Sequence, residues 1–248
     1  MPSLFSYKNF SIPNPIGGRR FVVPDIHGFA YTFRTLVEDQ LQLRHTDQLF
    51  LLGDYIDRGP DSVGVIDFIL QLQEEGYQIF PLKGNHEENF LDNYSHYHQG
   101  IYQKFFLQSM QSEKLYKLLD KDMHLLPEYS AFFDSLAYYF ELDRFYLVHA
   151  GFRFSSPQPF EDFDAMLNIR RLKHNPTQKT IIHGHDITDL DIIRHRIEQR
   201  NNIIPLDNGC YYGPVVEQLK SISPLQNVGK LLALNLDTFE LYEQKNVG

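Results

Sequence analysis

Six side chains of this 248-residue chain set oxygen or imidazole donors at the ends of apolar runs. They are Asp25 and His27 in FVVPDIHG, Asp54 in FLLGDYIDRGPDS, Asn85 in IFPLKGNHE, His149 in FYLVHAG and His185 in KTIIHGHD. With no cysteine among them, the set suits a hard or borderline divalent ion such as Mn, Fe or Zn rather than a thiolate site. Residues i and i+2 of an extended chain project to the same side, so Asp25 and His27 can grip one ion. His183 and His185 share that spacing, and both are candidates at the last tip. Taken singly, each residue reads as an ordinary turn or hydrogen-bonded side chain. Five strand-end clusters of complementary donors point instead to one shared metal site.

The elements that must position these donors follow from the hydrophobic pattern. FVV opens a strand, Phe33, Leu36, Val37 and Leu41 recur at helical spacing, and QLFLL forms a second strand. In DSVGVIDFILQLQEEG, Asp61 or Ser62 can cap a helix whose stripe is Val63, Ile66, Ile69 and Leu70, with Gly76 ending it. YQIFPL is the third strand and a helix begins near His86. This βαβαβ order predicts parallel strands joined by crossover helices, with ligands at the carboxyl ends of the strands. Residues 91–135 predict a polar and aromatic helical insertion or cap, with helices around KFFLQSM and EKLYKLLDKD. The later segment reads as a hairpin around Asp143-Arg144, strands in KTIIHGHD and RNNIIPLDNGC, and a closing hairpin around Asp237-Thr238. Without repeats or a linker, residues 1–248 read as a single α/β domain.

Composition narrows the partners. Hydrophobic residues make up 42% and charged residues 22%, as in ordinary globular domains. A formal charge of −9 disfavours nucleic acid and anionic membranes as partners, so neither is expected. The first twenty residues lack the pattern of a secretory signal, and no apolar run approaches a membrane span. One cysteine, Cys210, forbids an internal disulfide and fits a reducing compartment, which makes the cytoplasm the expected location. Cys210 itself is expected to be a buried packing residue.

The segments FVVPDIHG, LLGDYIDRG, PLKGNHE, LVHAG and IIHGHD resemble the signatures of the calcineurin-like metallophosphoesterases, in particular the bacterial branch of the PPP-type serine/threonine protein phosphatases. The resemblance runs from about Arg19 to Gly213. It implies a four-layer α/β/β/α sandwich of two mixed sheets with flanking helices. It also implies two divalent metal ions, Mn foremost with Fe or Zn as alternatives. Asp25 and His27 would hold the first, Asn85, His149 and His185 the second, and Asp54 would bridge them.

A water shared by two such cations loses its proton readily, giving a hydroxide for in-line attack on phosphorus. Arg58 can clamp phosphate oxygens with its planar guanidinium, and Arg170 resembles the family's second phosphate-binding arginine. His86 is the expected general acid for the leaving oxygen, and Asp57 would accept a hydrogen bond from its ring. Three positions depart from the family pattern: Pro24 replaces a glycine, Lys83 an arginine and Asp186 a threonine. The function expected is hydrolysis of phosphomonoesters, with a phosphorylated protein or a small phosphoester as partner and phosphoserine or phosphothreonine foremost. A symmetrical dinucleoside polyphosphate hydrolase shares the same motifs and is the alternative; a non-catalytic metal-binding scaffold ranks behind both.

Overall fold

A computed structural model describes residues 10–215 and 227–248. After a short strand β1 (Phe10–Ser11) come β2 (Arg20–Val23), helix α1 (Ala30–Thr35), β3 (Gln48–Leu51), helix α2 (Ser62–Glu74) and β4 (Gln78–Pro81). Strands β2, β3 and β4 pair in parallel, as the alternating pattern predicts. The first predicted helix is not uniform: α1 stops at Thr35 and a π-helical turn, Leu36–Leu41, carries Leu36, Val37 and Leu41 into the core. Asp61 caps α2 by accepting the Gly64 N–H, which satisfies an otherwise orphaned donor. Val63, Ile66 and Ile69 are buried, joined by Val65 and Phe68, while Leu70 lies at the margin of the stripe.

Residues beyond β4 form α3 (Asn85–His98), α4 (Gln103–Ser112) and α5 (Pro127–Ser135). The helix predicted over EKLYKLLDKD is only a 3-10 turn, Leu115–Leu118. Lys114 sits in the left-handed region, and the Asp120 carboxylate takes the N–H groups of Asp122 and His124, offering the backbone an alternative to a helix. Phe90, Phe106, Met110, Leu118, Phe132 and Phe133 share an apolar cluster with Phe21, Val23, Leu49 and Leu51. The helical segment therefore joins the apolar layer that covers the first sheet's outer face, meeting α2 through its 3-10 turn.

The chain continues with β5 (Tyr139–Glu141), β6 (Phe145–Val148), α6 (Phe163–Asn168), β7 (Thr180–His183), α7 (Leu190–Glu198), β8 (Ile203–Pro205), β9 (Lys230–Asn235) and β10 (Leu241–Lys245). Both predicted hairpins are present, β5 with β6 and β9 with β10. Two five-stranded mixed sheets result, in the orders β10-β9-β2-β3-β4 and β1-β5-β6-β7-β8. Period-two alternation divides their side chains. Val22, Phe50, Leu232 and Leu234 meet Phe140, Leu147, Ile182 and Ile204 between the sheets, while Phe21, Val23, Leu49 and Leu51 face the outer helices. The second sheet's outer face carries a smaller aromatic cluster of Tyr139, Val148, Phe152, Met166 and Ile181. This is the α/β/β/α layering expected from the resemblance. Among the described residues no helix is long and apolar enough to cross a membrane. Cys210 is buried, and burial raises its thiol pKa, as suits a packing residue.

Candidate active site

Each sheet contains three adjacent parallel strands, β2-β3-β4 in one and β6-β7-β8 in the other. Their carboxyl ends carry the chemistry: Asp25 and His27 follow β2, Asp54 follows β3, Asn85 and His86 follow β4, His149 follows β6 and His185 follows β7. Eight of the ten residues singled out from the sequence line one cavity of about 90 Å³: Asp25, His27, Asp54, Arg58, Asn85, His86, Arg170 and His185. His149 lies fully buried beside Asp54, and Asp57 stands behind the His86 ring.

The backbone at this centre is strained. His27, Asp54, Asp57, Arg58 and His185 have φ values of 50°, 53°, 70°, 71° and 63°, a region that side chains bearing a Cβ rarely occupy. Such strain costs on the order of 1–3 kcal/mol per residue and persists where surrounding contacts enforce it. Close approach also demands glycine. A Cβ on Gly84 would come within 2.2 Å of Asp54 Oδ1, and one on Gly184 within 2.1 Å of Asp25 Oδ1.

Asp54 is the hub. His27 Nε2 lies 3.6 Å from its Oδ2, and His149 Nε2 lies 3.6 Å from its Oδ1. Two clusters of candidate ligand atoms share it, one with His27 and His86, the other with His149 and His185. The tautomers are set from behind: His27 Nδ1 bonds the Ile56 carbonyl at 3.1 Å and His149 Nδ1 the Leu52 carbonyl at 2.8 Å, which leaves each Nε2 a lone pair for a metal. Asn85 Oδ1 approaches His149 Nε2 at 3.0 Å. Asp25 accepts the His185 N–H on both oxygens, at 3.0 and 3.1 Å; like His183, it belongs to neither cluster, although it lines the same cavity.

The residues fit a pair of cations. Burial lowers the imidazoles, His27 to about 3 and His185 to about 4, so both are neutral and able to ligate. His185 Nε2 is buried with no hydrogen-bond partner, an orphan that a metal would satisfy. Burial, with Asp207 and Asp54 close by, pushes Asp25 well above the usual carboxylate range. A buried crowd of carboxylates is the environment a divalent ion relieves.

Around this centre stand the candidates for proton transfer and phosphate binding. His86 Nδ1 lies 2.5 Å from Asp57 Oδ2; although burial works against its charge, the bond to Asp57 and the Asp54 charge raise the imidazole pKa. The Arg58 guanidinium lies 4.1 Å over the Tyr211 ring, and the Arg58 backbone N–H donates to Glu113 Oε2 at 2.8 Å. Arg170 is steadied by the His185 carbonyl and by Asp186 Oδ1, each at 3.3 Å. Lys83 pairs with Glu88 at 2.8 Å and does not line the cavity.

Three residues of the site went unassigned in the sequence. Tyr211 supports Arg58, and Asp207, pushed up to about 7 first by burial, lines the cavity beside Asp25. Asp207 ends the apolar run IIPLD, the same design as the other tips, so that signal was available. Glu87 accepts the N–H groups of Asp54, Tyr55 and Gly84 at 2.8, 2.8 and 2.9 Å, tying the two motif turns together. A Glu at the third position of a helix is the capping-box signature that could have found it. Glu87→Gln turns an NH2 group toward these donors. The expected loss at pH 8 is about 2–4 kcal/mol, since buried donors are left unpaired. Calorimetry should show Tm lower by roughly 6–12 °C.

A two-sheet sandwich whose strand tips gather oxygen and imidazole donors beside two arginines is the architecture of a metallophosphoesterase. Residues 19–215 match the family model of the calcineurin-like phosphoesterases, and the chain belongs to that family, which uses a dinuclear metal site. It is 38% identical over 76 residues to a symmetrical bis(5'-nucleosyl)-tetraphosphatase of Erwinia tasmaniensis, a match covering 30% of this chain and 26% of that one. The match thus spans about a quarter of that relative's length. In fold the chain resembles a crystal structure assigned provisionally to the diadenosine tetraphosphatases, with a TM-score of 0.62 and 18% identity over 98% of this chain and 100% of that one. It also resembles a protein serine/threonine phosphatase of Saccharomyces cerevisiae, with a TM-score of 0.58 and 16% identity over 93% and 81% of the two chains.

Proposed function

We propose that this chain is a two-metal hydrolase of phosphoric anhydrides and esters, with dinucleoside polyphosphates ahead of phosphoproteins as substrates. Asp25 and His27 would hold one ion, Asn85, His149 and His185 the other, and Asp54 would serve both, with Mn foremost and Fe or Zn as alternatives. The observation that carries this reading is Asp54 shared between two clusters of candidate donor atoms. The bound cations supply positive charge for the phosphate and acidify water. Arg58 and Arg170, which both line the cavity, clamp non-bridging phosphate oxygens, which an acidic protein requires. The Tyr211 ring backs the Arg58 guanidinium, and His86 gives its proton to the departing oxygen while Asp57 fixes the imidazole. Residues 1–248 act as one catalytic domain, and the 91–135 helices brace it through the Glu113 contact to Arg58.

The nucleotide preference is supported by the tetraphosphatase named among the sequence relatives. A second reading, phosphoserine or phosphothreonine hydrolysis, is favoured by the His86–Asp57 pair, because an alkoxide needs a proton to leave whereas a phosphate leaves readily without one. The test is kcat/KM of the Mn²⁺-loaded protein for diadenosine tetraphosphate and for a phosphothreonine peptide in one assay. Preference for the dinucleotide is the expected result. Preference for the peptide would move the function to the second reading.

A further inference from the structure

Arg170 borders a second space as well as the metal cavity. A cleft of about 480 Å³ opens beside it, rimmed by Arg171, Lys173 and Arg196 and floored by apolar side chains including Leu172, Ile192, Ile203 and Pro205. Ile187 lines both spaces, so the cleft continues from the site.

Four cationic residues, Arg170, Arg171, Lys173 and Arg196, line this one cleft. Among the described residues, Arg171, Lys173 and Arg196 have no carboxylate partner within ion-pair distance. Asp186 is the one acid lining the cleft, and it is already engaged by the Arg170 guanidinium and the Arg171 backbone N–H. Arg196 is fixed at the wall by its bond to the Ile203 carbonyl at 3.2 Å. Uncompensated cations crowded around a cleft repel one another, and a bound polyanion relieves that repulsion.

We propose that the cleft is a subsite for the phosphates beyond the scissile one in a phosphoanhydride chain. Arg170 joins the two spaces: it grips the reacting phosphoryl group, and Arg171, Lys173 and Arg196 take the next phosphates. The apolar floor lies beneath the sugar or base attached to them. A substrate with a single phosphate leaves the cleft unused, so this subsite discriminates chain from monoester. The proposal rests on the nucleotide reading above for its biological substrate, though its physical content is a binding preference.

Imidodiphosphate, whose P–N–P link resists hydrolysis, and orthophosphate are titrated calorimetrically into the Mn²⁺-loaded protein at fixed free Mn²⁺. The wild type is expected to bind imidodiphosphate at least about tenfold more tightly than orthophosphate. Arg171→Gln/Lys173→Gln, at two exposed positions, should weaken imidodiphosphate by about tenfold and orthophosphate far less. Equal weakening of both ligands, or of neither, overturns the subsite, as does a wild type without preference. Loss confined to imidodiphosphate in a protein that does not cleave diadenosine tetraphosphate keeps the subsite and removes the nucleotide reading. Cleavage of that dinucleotide with no selective loss does the reverse.

Discussion

Asp54→Asn lowers the metal content from two ions per chain to one or fewer and reduces kcat/KM for p-nitrophenyl phosphate by about a thousand-fold, roughly 4 kcal/mol of transition-state stabilisation. This substitution separates charge from shape. Asn is isosteric with Asp and tolerates the left-handed φ of 53° at this position. Its carbonyl oxygen can still accept the His86 N–H now received by Asp54 Oδ1 at 3.0 Å. What disappears is the negative charge common to both ligand clusters. Metal analysis of protein purified with Mn²⁺ reads the first effect, and turnover reads the second. Two ions retained with undiminished turnover would end the bridging assignment. Thermal unfolding of the metal-free variant should remain close to wild type, which excludes general misfolding as the cause.

His86→Asn is expected to cut kcat/KM for a phosphothreonine peptide by about 10²–10³ and for p-nitrophenyl phosphate by no more than about tenfold. An alkoxide leaves poorly without a proton, whereas p-nitrophenolate is stable by itself. The imidazole is placed to deliver that proton, since Asp57 holds Nδ1 at 2.5 Å and Nε2 faces the centre 3.9 Å from Asp54 and 3.5 Å from Arg58. Comparable losses on the two substrates would assign His86 to charge stabilisation or metal binding, since it shares a ligand cluster with His27.

The donors were legible because each follows an apolar strand, and a parallel sheet presents its strand ends together. Asp25, Asp54, Asn85, His149 and His185 needed no more than that pattern. The layering was not legible from the pattern: Val22 enters the space between the sheets while Phe21 and Val23 face the helices, yet all three are equally apolar. Only the resemblance supplied the second sheet's position. Local chemistry overrode periodicity at Lys114 and Asp120, where a left-handed residue and a carboxylate competing for N–H groups shortened a predicted helix. Glu87 and Asp207 were obscured because a helix-start glutamate and an Asp-Asn-Gly turn are common for backbone reasons alone. The strain at Asp57 and Arg58 has no sequence signature, because neither residue type is reserved for the left-handed region. Arg171, Lys173 and Arg196 come together only once α7 returns toward the loop after α6.

The antiparallel pairing of β9 with β2 joins residues more than two hundred positions apart, Phe21 with Asn235 and Val22 with Leu234. During synthesis β2, the strand that delivers Asp25 and His27, is made early, and its partner leaves the ribosome on the order of ten seconds or more later. Through that interval one edge of β2 keeps its amide groups unpaired and its flanking apolar residues half covered, a surface on which another nascent strand can dock. The salt bridge of Arg20 to Asp237, at 2.5 Å, forms across the same late seam. All the proposed metal ligands are therefore translated before the scaffold that holds the first of them can close, so ion capture belongs to the finished chain and not to its growing end.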